Sequence, residues 1–319
     1  MAVYTHLGAE DLAGLLAEYD VGELVSAKGI AEGVSNSNWL VETTQNRFIL
    51  TMYERRIDTE DLPFFLSLLD HLAAANCPVP RTIHDSSGAL SRKLDGKAVA
   101  LIEFLSGVSP SAPNPAQAHA VGAALAKMHQ TTTGYPERRQ NDMGMDRWQF
   151  LADACGDAAL ASISPELPAF IHAHLEQFPN LWPHGLPSGV VHADLFPDNV
   201  LFVGDKISGM IDFYFACTDA YAYDLAVTHA AWCFDQTGET FSPEISRALI
   251  AGYESVRPLL PEERDCLPVL AKGAAMRFIL SRADDWLNTP ADALVERKDP
   301  MDFVRRLQFY DRTGHTAFA

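Results

Sequence analysis

The stretch that most constrains this chain is Val190-Val-His-Ala-Asp-Leu-Phe-Pro-Asp-Asn-Val-Leu-Phe202, followed by Gly209-Met-Ile-Asp-Phe213. Its polar skeleton is His192-x-Asp194-Leu195-x-x-x-Asn199, set between apolar, strand-like residues, and then Asp212-Phe213. Asp212 follows Asn199 by 13 positions, which suits two short antiparallel strands turning at Gly204-Asp205. Such a hairpin sets an amide and a carboxylate beside a second carboxylate. Hard oxygen donors of this kind suit Mg²⁺, which rarely gets an all-protein cage and shares its shell with substrate phosphates. Taken singly, each residue has a plainer reading: Asp194 a turn carboxylate, His192 a core histidine, Asp212 a strand-end cap. The joined pattern at this spacing favours chemistry.

Upstream, the first third reads as strands with one helix. Leu24 to Ile30 is a predicted strand, Gly33-Val-Ser-Asn-Ser-Asn38 a turn-rich loop, and Trp39 to Thr43 and Arg47 to Tyr53 two further strands. Asp61 to Ala75 is predicted helical, since Leu62, Phe65, Leu66, Leu69 and Leu72 recur at spacings of three and four. Pro78 and Pro80 stop it. Ala89 to Lys93 and Lys97 to Phe104 complete a five-strand, one-helix pattern. Three prolines between Pro110 and Pro115 mark a break, after which the composition turns helical. Helices are expected over Ala118 to Thr131, Glu166 to Phe178, Ala222 to Phe234, Pro243 to Ser255 and Glu262 to Trp286. The organisation is thus an α+β chain: a β-rich N-lobe with one main helix over 1–104, a connector over 105–115, and a mainly helical C-lobe over 116–319.

With 24 Lys and Arg against 42 Asp and Glu, the formal charge is −18. A body that acidic repels phosphate backbones and anionic lipid, which argues against nucleic-acid or membrane-surface binding. A small anionic ligand held by local backbone N–H groups and a metal stays compatible with it. No apolar run approaches a membrane span, and the first residues lack a basic, apolar signal segment. The five cysteines are scattered and odd in number, as expected of reduced thiols in a cytoplasmic protein. Oligomeric state is not legible.

His192-x-Asp194-Leu195-x-x-x-Asn199 followed by Asp212-Phe213 resembles the catalytic and metal-binding segments of the protein-kinase-like superfamily. Ala193 and Tyr214, where protein kinases carry Arg and Gly, move it toward the small-molecule branch. The runs Leu62 to Leu66, Val191 to Val200, Ile211 to Cys217, Tyr223-Asp-Leu-Ala226, Ala231-Trp-Cys-Phe234 and Lys298-Asp-Pro300 resemble the aminoglycoside-phosphotransferase-like homoserine kinases of bacterial threonine biosynthesis, over nearly the whole chain. The resemblance implies a two-lobed protein-kinase-like fold, ATP and Mg²⁺ as cofactors, and L-homoserine as the small-molecule substrate. It implies that Asp194 orients the acceptor hydroxyl and takes its proton, while Asn199 and Asp212 hold Mg²⁺. A kinase for another small alcohol is the alternative enzyme reading, and a nucleotide-binding pseudokinase the non-enzyme one.

The phosphate-contacting Lys of wider kinases is expected on the strand Phe48-Ile-Leu-Thr51, where Thr51 stands instead. Phe64, Phe65 and Leu66 occupy the stretch where a pairing Glu would be sought, and loss of both partners avoids a stranded buried charge. Lys28, Arg55 and Arg56 are the candidates for replacement charge. In the loop before it, Gly33, Ser35, Asn36 and Ser37 are candidate phosphate contacts. An ordinary hairpin turn is the plain alternative. Glu103 and Leu105 are expected to meet the adenine edge. For the zwitterionic substrate, Arg277 or Arg282 is expected at the carboxylate and Asp219 or Asp224 at the ammonium group. His129 is expected to pack or hydrogen-bond rather than catalyse, and His172 and His174 make a poor metal pair.

Overall fold

The computed structural model describes residues 7–30, 36–54, 58–289 and 297–319. The chain divides into two compact units, Met1–Gly107 with Ser208–Tyr214, and Val108–Ile207 with Phe215–Ala319.

In the first unit, α1 (Ala9–Leu16) precedes β1 (Leu24–Ile30), β2 (Asn36–Thr43) and β3 (Arg47–Tyr53). Then come α2 (Leu62–Ala74), β4 (Thr82–Ile83), β5 (Arg92–Leu94) and β6 (Lys97–Glu103). The strands make one six-stranded sheet in the order β1-β2-β3-β6-β4, with β5 also on β6, and every pairing is antiparallel. Trp39 and Val41 alternate on β2 opposite Leu50 and Phe48 of β3. They share a core with Leu12, Leu15 and Leu16 of α1, each such burial being worth about 1.5–3 kcal/mol.

Three departures from the sequence reading have local causes. The helix α1 was not anticipated: eight residues with a glycine inside carry little intrinsic helicity, and packing on the sheet holds it. Strand β2 starts at Asn36 rather than Trp39, because its polar residues find partners on β3 and just beyond it. Thr51 Oγ1 donates to Asn38 Oδ1 at 2.8 Å, and Ser37 Oγ donates to Glu54 Oε1 at 2.8 Å. Strand β5 starts at Arg92, not Ala89, because the Asp85 carboxylate accepts the N–H groups of Ser87 and Ala89, both at 2.8 Å, and keeps them in a turn.

In the second unit α3 (Pro115–Thr131), α4 (Met145–Cys155), α5 (Asp157–Ile163), α6 (Leu167–Leu175) and α7 (Phe178–Leu181) lead to β7 (Ser188–Val191). The hairpin β8 (Val200–Val203) and β9 (Lys206–Met210) turns at Gly204, φ +63°, as its spacing suggests, and runs into the first unit's segment. After β10 (Cys217–Ala220) come α8 (Tyr221–Trp232), α9 (Pro243–Glu254), α10 (Pro261–Asn288) and α11 (Met301–Thr313). The helices α4, α5 and α11 were not anticipated. Every residue of α8 is buried, so this helix runs through the core, with α10, α3 and α9 against it, and its polar residues must be bonded internally. Among the described helices none is long and apolar enough to cross a membrane.

Candidate active site

The loop carrying Asp194 runs from the end of β7, which pairs Val191 with Cys217 of β10, to the 3₁₀ turn Pro197–Asn199 before β8. Ala193 within it has φ +62°, a left-handed conformation costing a residue with a Cβ about 1–2 kcal/mol. Long-range hydrogen bonds hold it there. Asp224 of α8 accepts the N–H of His192 at 2.8 Å and of Ala193 at 2.7 Å. Arg277 of α10 donates to the Ala193 carbonyl, and Trp232 Nε1 donates to Leu195 O at 2.8 Å. Asp194 N–H donates to His192 Nδ1 at 3.2 Å. Asn199 Nδ2 donates to Asp194 O at 2.8 Å and Oδ2 at 3.3 Å.

Asp194 is 18% exposed and its Oδ1 lies 3.6 Å from Arg277 Nη2. Burial pushes its carboxyl above the usual range, against the pull of Arg277, His192 and Lys298. The Arg277 guanidinium sits 5.0 Å from the Phe215 ring centre and 4.6 Å from that of Phe278. Beneath the loop, burial works to raise Asp224, yet its bonds to His129 and its attraction to His129 and His192 take it below the usual range. Burial likewise keeps His129 neutral by lowering it. His129 therefore donates Nε2–H to Asp224 at 2.9 Å and accepts the Tyr253 hydroxyl at Nδ1, 2.8 Å away. Arg257 donates to the Tyr253 oxygen at 3.1 Å and to Glu263 at 2.9 Å.

Of the residues expected at the acceptor, Asp219 is partly buried, accepting Asn141 Nδ2 and Ala220 N–H at 2.7 Å each. Burial raises its carboxyl against those bonds. The other three make their contacts inside the fold. Asp224 is fully buried with its oxygens taken by backbone and His129. Arg277 is 1% exposed and committed to the loop. Arg282 donates to Asp302 at 2.9 Å and to Asp299 O at 3.1 Å. Two residues were not singled out in the sequence: Asn141, beside Asp219, and the cation Lys298, 61% exposed, whose Nζ lies 3.5 Å from Asp198. Lys298 stood in a recognisable run, but nothing local tied it to a loop 100 positions away.

In the first unit Asp212 has φ +65° and an exposed side chain. Two positions on, the Tyr214 hydroxyl lies 3.0 Å from that of Tyr53, with the rings edge to face at 5.5 Å. Burial pushes Tyr214 up to about 12, so both phenols stay protonated. Thr51 is 3% exposed and spends its hydroxyl on Asn38. Lys97 pairs with the nearly buried Glu54 carboxylate, a cation near the end of β3 that the sequence reading did not consider. Ser37 is fully buried and donates to that same carboxylate, so its side chain is not a phosphate donor. Asn36 is 6% exposed. Gly33, Ser35, Arg55 and Arg56 lie outside the described residues, and Lys28 is exposed on β1. Glu103 receives the Arg81 N–H at 3.2 Å on Oε2. Leu105 packs so closely on Gly209 that a Cβ there would lie 2.5 Å from Leu105 Cδ1.

An antiparallel sheet unit, a helical unit, and an aspartate on a strained loop followed by a hairpin define a phosphotransferase of the α+β protein-kinase-like class. Residues 26–259 match the APH phosphotransferase enzyme family. The chain is 52% identical over 319 residues to a homoserine kinase of Caulobacter sp., covering 100% of this chain and 99% of that protein. It is 49% identical over 310 residues to the homoserine kinase of Methylorubrum populi, covering 97% and 96%. Among solved structures, amicoumacin kinase hAmiN in complex with AMP-PNP, Ca²⁺ and Ami matches with a TM-score of 0.72 at 16% identity, over 98% of this chain and 96% of that one. The last likeness is one of fold. The chain belongs to the APH phosphotransferase enzyme family and, within it, to the homoserine kinases.

Proposed function

We propose that this chain transfers the γ-phosphoryl group of ATP to the side-chain hydroxyl of L-homoserine, giving ADP and O-phospho-L-homoserine for threonine biosynthesis. The observation that carries this reading is the 52% identity to a homoserine kinase along the full chain. Asp194 orients the acceptor hydroxyl and takes its proton as that oxygen attacks the γ-phosphorus. The bond from that phosphorus to the β–γ bridging oxygen breaks, and ADP leaves with the electron pair. Catalysis is positioning and charge neutralisation, with no phosphoenzyme.

Asn199 turns its amide nitrogen to Asp194, which leaves the amide oxygen for a cation, and Asp212 exposes a carboxylate. Both are hard oxygen donors that fit Mg²⁺, which when bound neutralises charge on the phosphates. Asn36, the backbone of Ser37, and Gly33 and Ser35 before them are assigned to the phosphates, and the backbone from Glu103 to Leu105 to adenine. Asp219, oriented by Asn141, is assigned to the substrate ammonium group. The carboxylate goes to Lys298, since Arg277 and Arg282 are committed within the fold. The five free thiols support a reducing, cytoplasmic setting.

The test is a panel of alcohols with ATP and Mg²⁺, following ADP release. L-homoserine should be strongly preferred over 3-aminopropanol, its decarboxylated analogue. Lys298→Ala should raise KM for L-homoserine and spare the amino alcohol. Equal use of both alcohols by the unsubstituted protein would make it an amino-alcohol kinase, and no turnover with any alcohol a pseudokinase.

A further inference from the structure

Ala193 is held at both of its backbone polar groups by residues far away in the chain. Its N–H goes to Asp224 of α8 at 2.7 Å and its carbonyl to Arg277 of α10. Between these two bonds the residue keeps φ +62°, and the next residue is Asp194. Return of Ala193 to an ordinary φ would swing Asp194 away, so the grip on Ala193 sets where the carboxylate points. The carboxylate is held as well, with Oδ1 3.6 Å from Arg277 Nη2 and Oδ2 3.3 Å from Asn199 Nδ2. Arg277 can serve backbone and carboxylate together because its guanidinium is a flat fork with several donors. The rings of Phe215 and Phe278, 5.0 and 4.6 Å away, fix that fork in place. At 1% exposure it has no open face for a soluble substrate.

We propose that Arg277 is a positioning residue, holding Asp194 in attacking geometry through the Ala193 carbonyl and the Asp194 carboxylate, rather than the partner of the substrate carboxylate. The proposal rests on the reading of Asp194 as the group that orients the acceptor hydroxyl. Misplacement of a reacting group by about 1 Å costs on the order of 10²-fold in rate. Arg277→Met should therefore lower kcat by about 10²-fold with L-homoserine and with 3-aminopropanol alike. KM for each acceptor and the dissociation constant for an ATP analogue should stay within about threefold. Arg277→Lys, which reaches one of the two acceptors but not both, should recover about tenfold of that loss.

Strain at Ala193 supplies a readout that mere structural support would not move. Glycine takes φ +62° without a Cβ penalty. In an Ala193→Gly background, Arg277→Met should therefore cost several-fold less in kcat than in the alanine background. Thermal unfolding and analogue binding, followed in Arg277→Lys as well as Arg277→Met, identify a variant that fails to fold. In that event the partial loss in Arg277→Lys carries the comparison. A raised KM confined to L-homoserine would overturn the proposal and return Arg277 to the substrate carboxylate. An equal cost in both backgrounds, or an unchanged kcat, would also overturn it. If the unsubstituted protein prefers another alcohol, the functional reading fails, while an acceptor-independent loss still supports Arg277 as the holder of Asp194.

Discussion

Asp224 accepts the Ala193 N–H at 2.7 Å from 31 positions further along the chain. A fully buried carboxylate on the core helix thereby fixes the backbone beside Asp194. It is one end of a bonded series through His129, Tyr253, Arg257 and Glu263 that ties α8, α3, α9 and α10 to one loop. Such a network is worth most when complete, because a buried group that loses its partner keeps its desolvation cost.

Asp224→Asn tests that dependence. The amide keeps the shape but sets an NH₂ against backbone N–H groups or His129, and it removes the charge. A hydrogen bond to a charged group is worth about 1.5–3 kcal/mol, and a buried donor left without its acceptor costs about 1–3 kcal/mol. Urea unfolding should show a loss of that order, and turnover should fall with it. A variant within about 0.5 kcal/mol of the parent would mean the loop holds itself.

Asp194→Asn should fold and bind nucleotide but lose about 10²–10⁴ in turnover, the usual worth of a positioned general base. Purified variant at the parent rate would remove Asp194 from the chemistry. Asp212→Asn should instead raise the Mg²⁺ concentration needed for half-maximal nucleotide binding, with excess Mg²⁺ restoring part of it. Unchanged Mg²⁺ dependence would exclude Asp212 as a ligand.

The crossing of α3 and α9 depends on glycine. A Cβ on Gly252 would lie 2.0 Å from the His119 carbonyl oxygen, and one on Gly122 2.1 Å from that of Leu249. These are backbone atoms, so relief requires the helices to part. Gly252→Ala should destabilise by about 1–3 kcal/mol, seen as a lower urea midpoint with unchanged slope. Since α3 and α9 carry His129 and Tyr253, the same variant should also lower kcat. A neutral or stabilising Gly252→Ala would contradict the close approach.

The pH dependence of stability has an identifiable contributor in His229. It is fully buried, its ring bonded to the Tyr310 hydroxyl at 2.7 Å and the Ser246 hydroxyl at 2.9 Å. Burial lowers it from 6.5 to about 3, with the Ala317 carbonyl pulling the other way. Between those values the unfolded chain binds a proton that the folded chain refuses. Stability from this group is therefore intact above 6.5 and falls as pH drops toward 3, at about 1.4 kcal/mol per pH unit. Urea unfolding between about pH 7 and pH 5 should show a steeper loss for the parent than for His229→Gln. Parallel slopes would mean His229 takes up a proton in the folded state.

The chemistry-bearing stretch was legible because it is local. Asp194 and Asn199 lie five positions apart and bond directly, and the hairpin after them follows from a glycine turn between two short apolar runs. Strands β1 and β3 and helix α2 were legible for the same reason, since runs of strand-forming residues between turns, and the three-and-four apolar spacing of α2, are read along a few residues. Thr51 in place of a lysine was visible too. The pairing of Lys97 with Glu54 near the end of that strand was not, because it spans 43 positions. The sequence by itself determined the class of fold and the pair Asp194 and Asn199. Only the tertiary structure decided which groups Asp224 and Arg277 touch. Both were expected at the substrate, Asp224 for its charge and Arg277 for its planar fork and its place on the long C-terminal helix, yet their partners lie 31 and 84 positions away. Whether a charged side chain faces water or a strained peptide is decided by burial, and burial follows from how α8 and α10 pack.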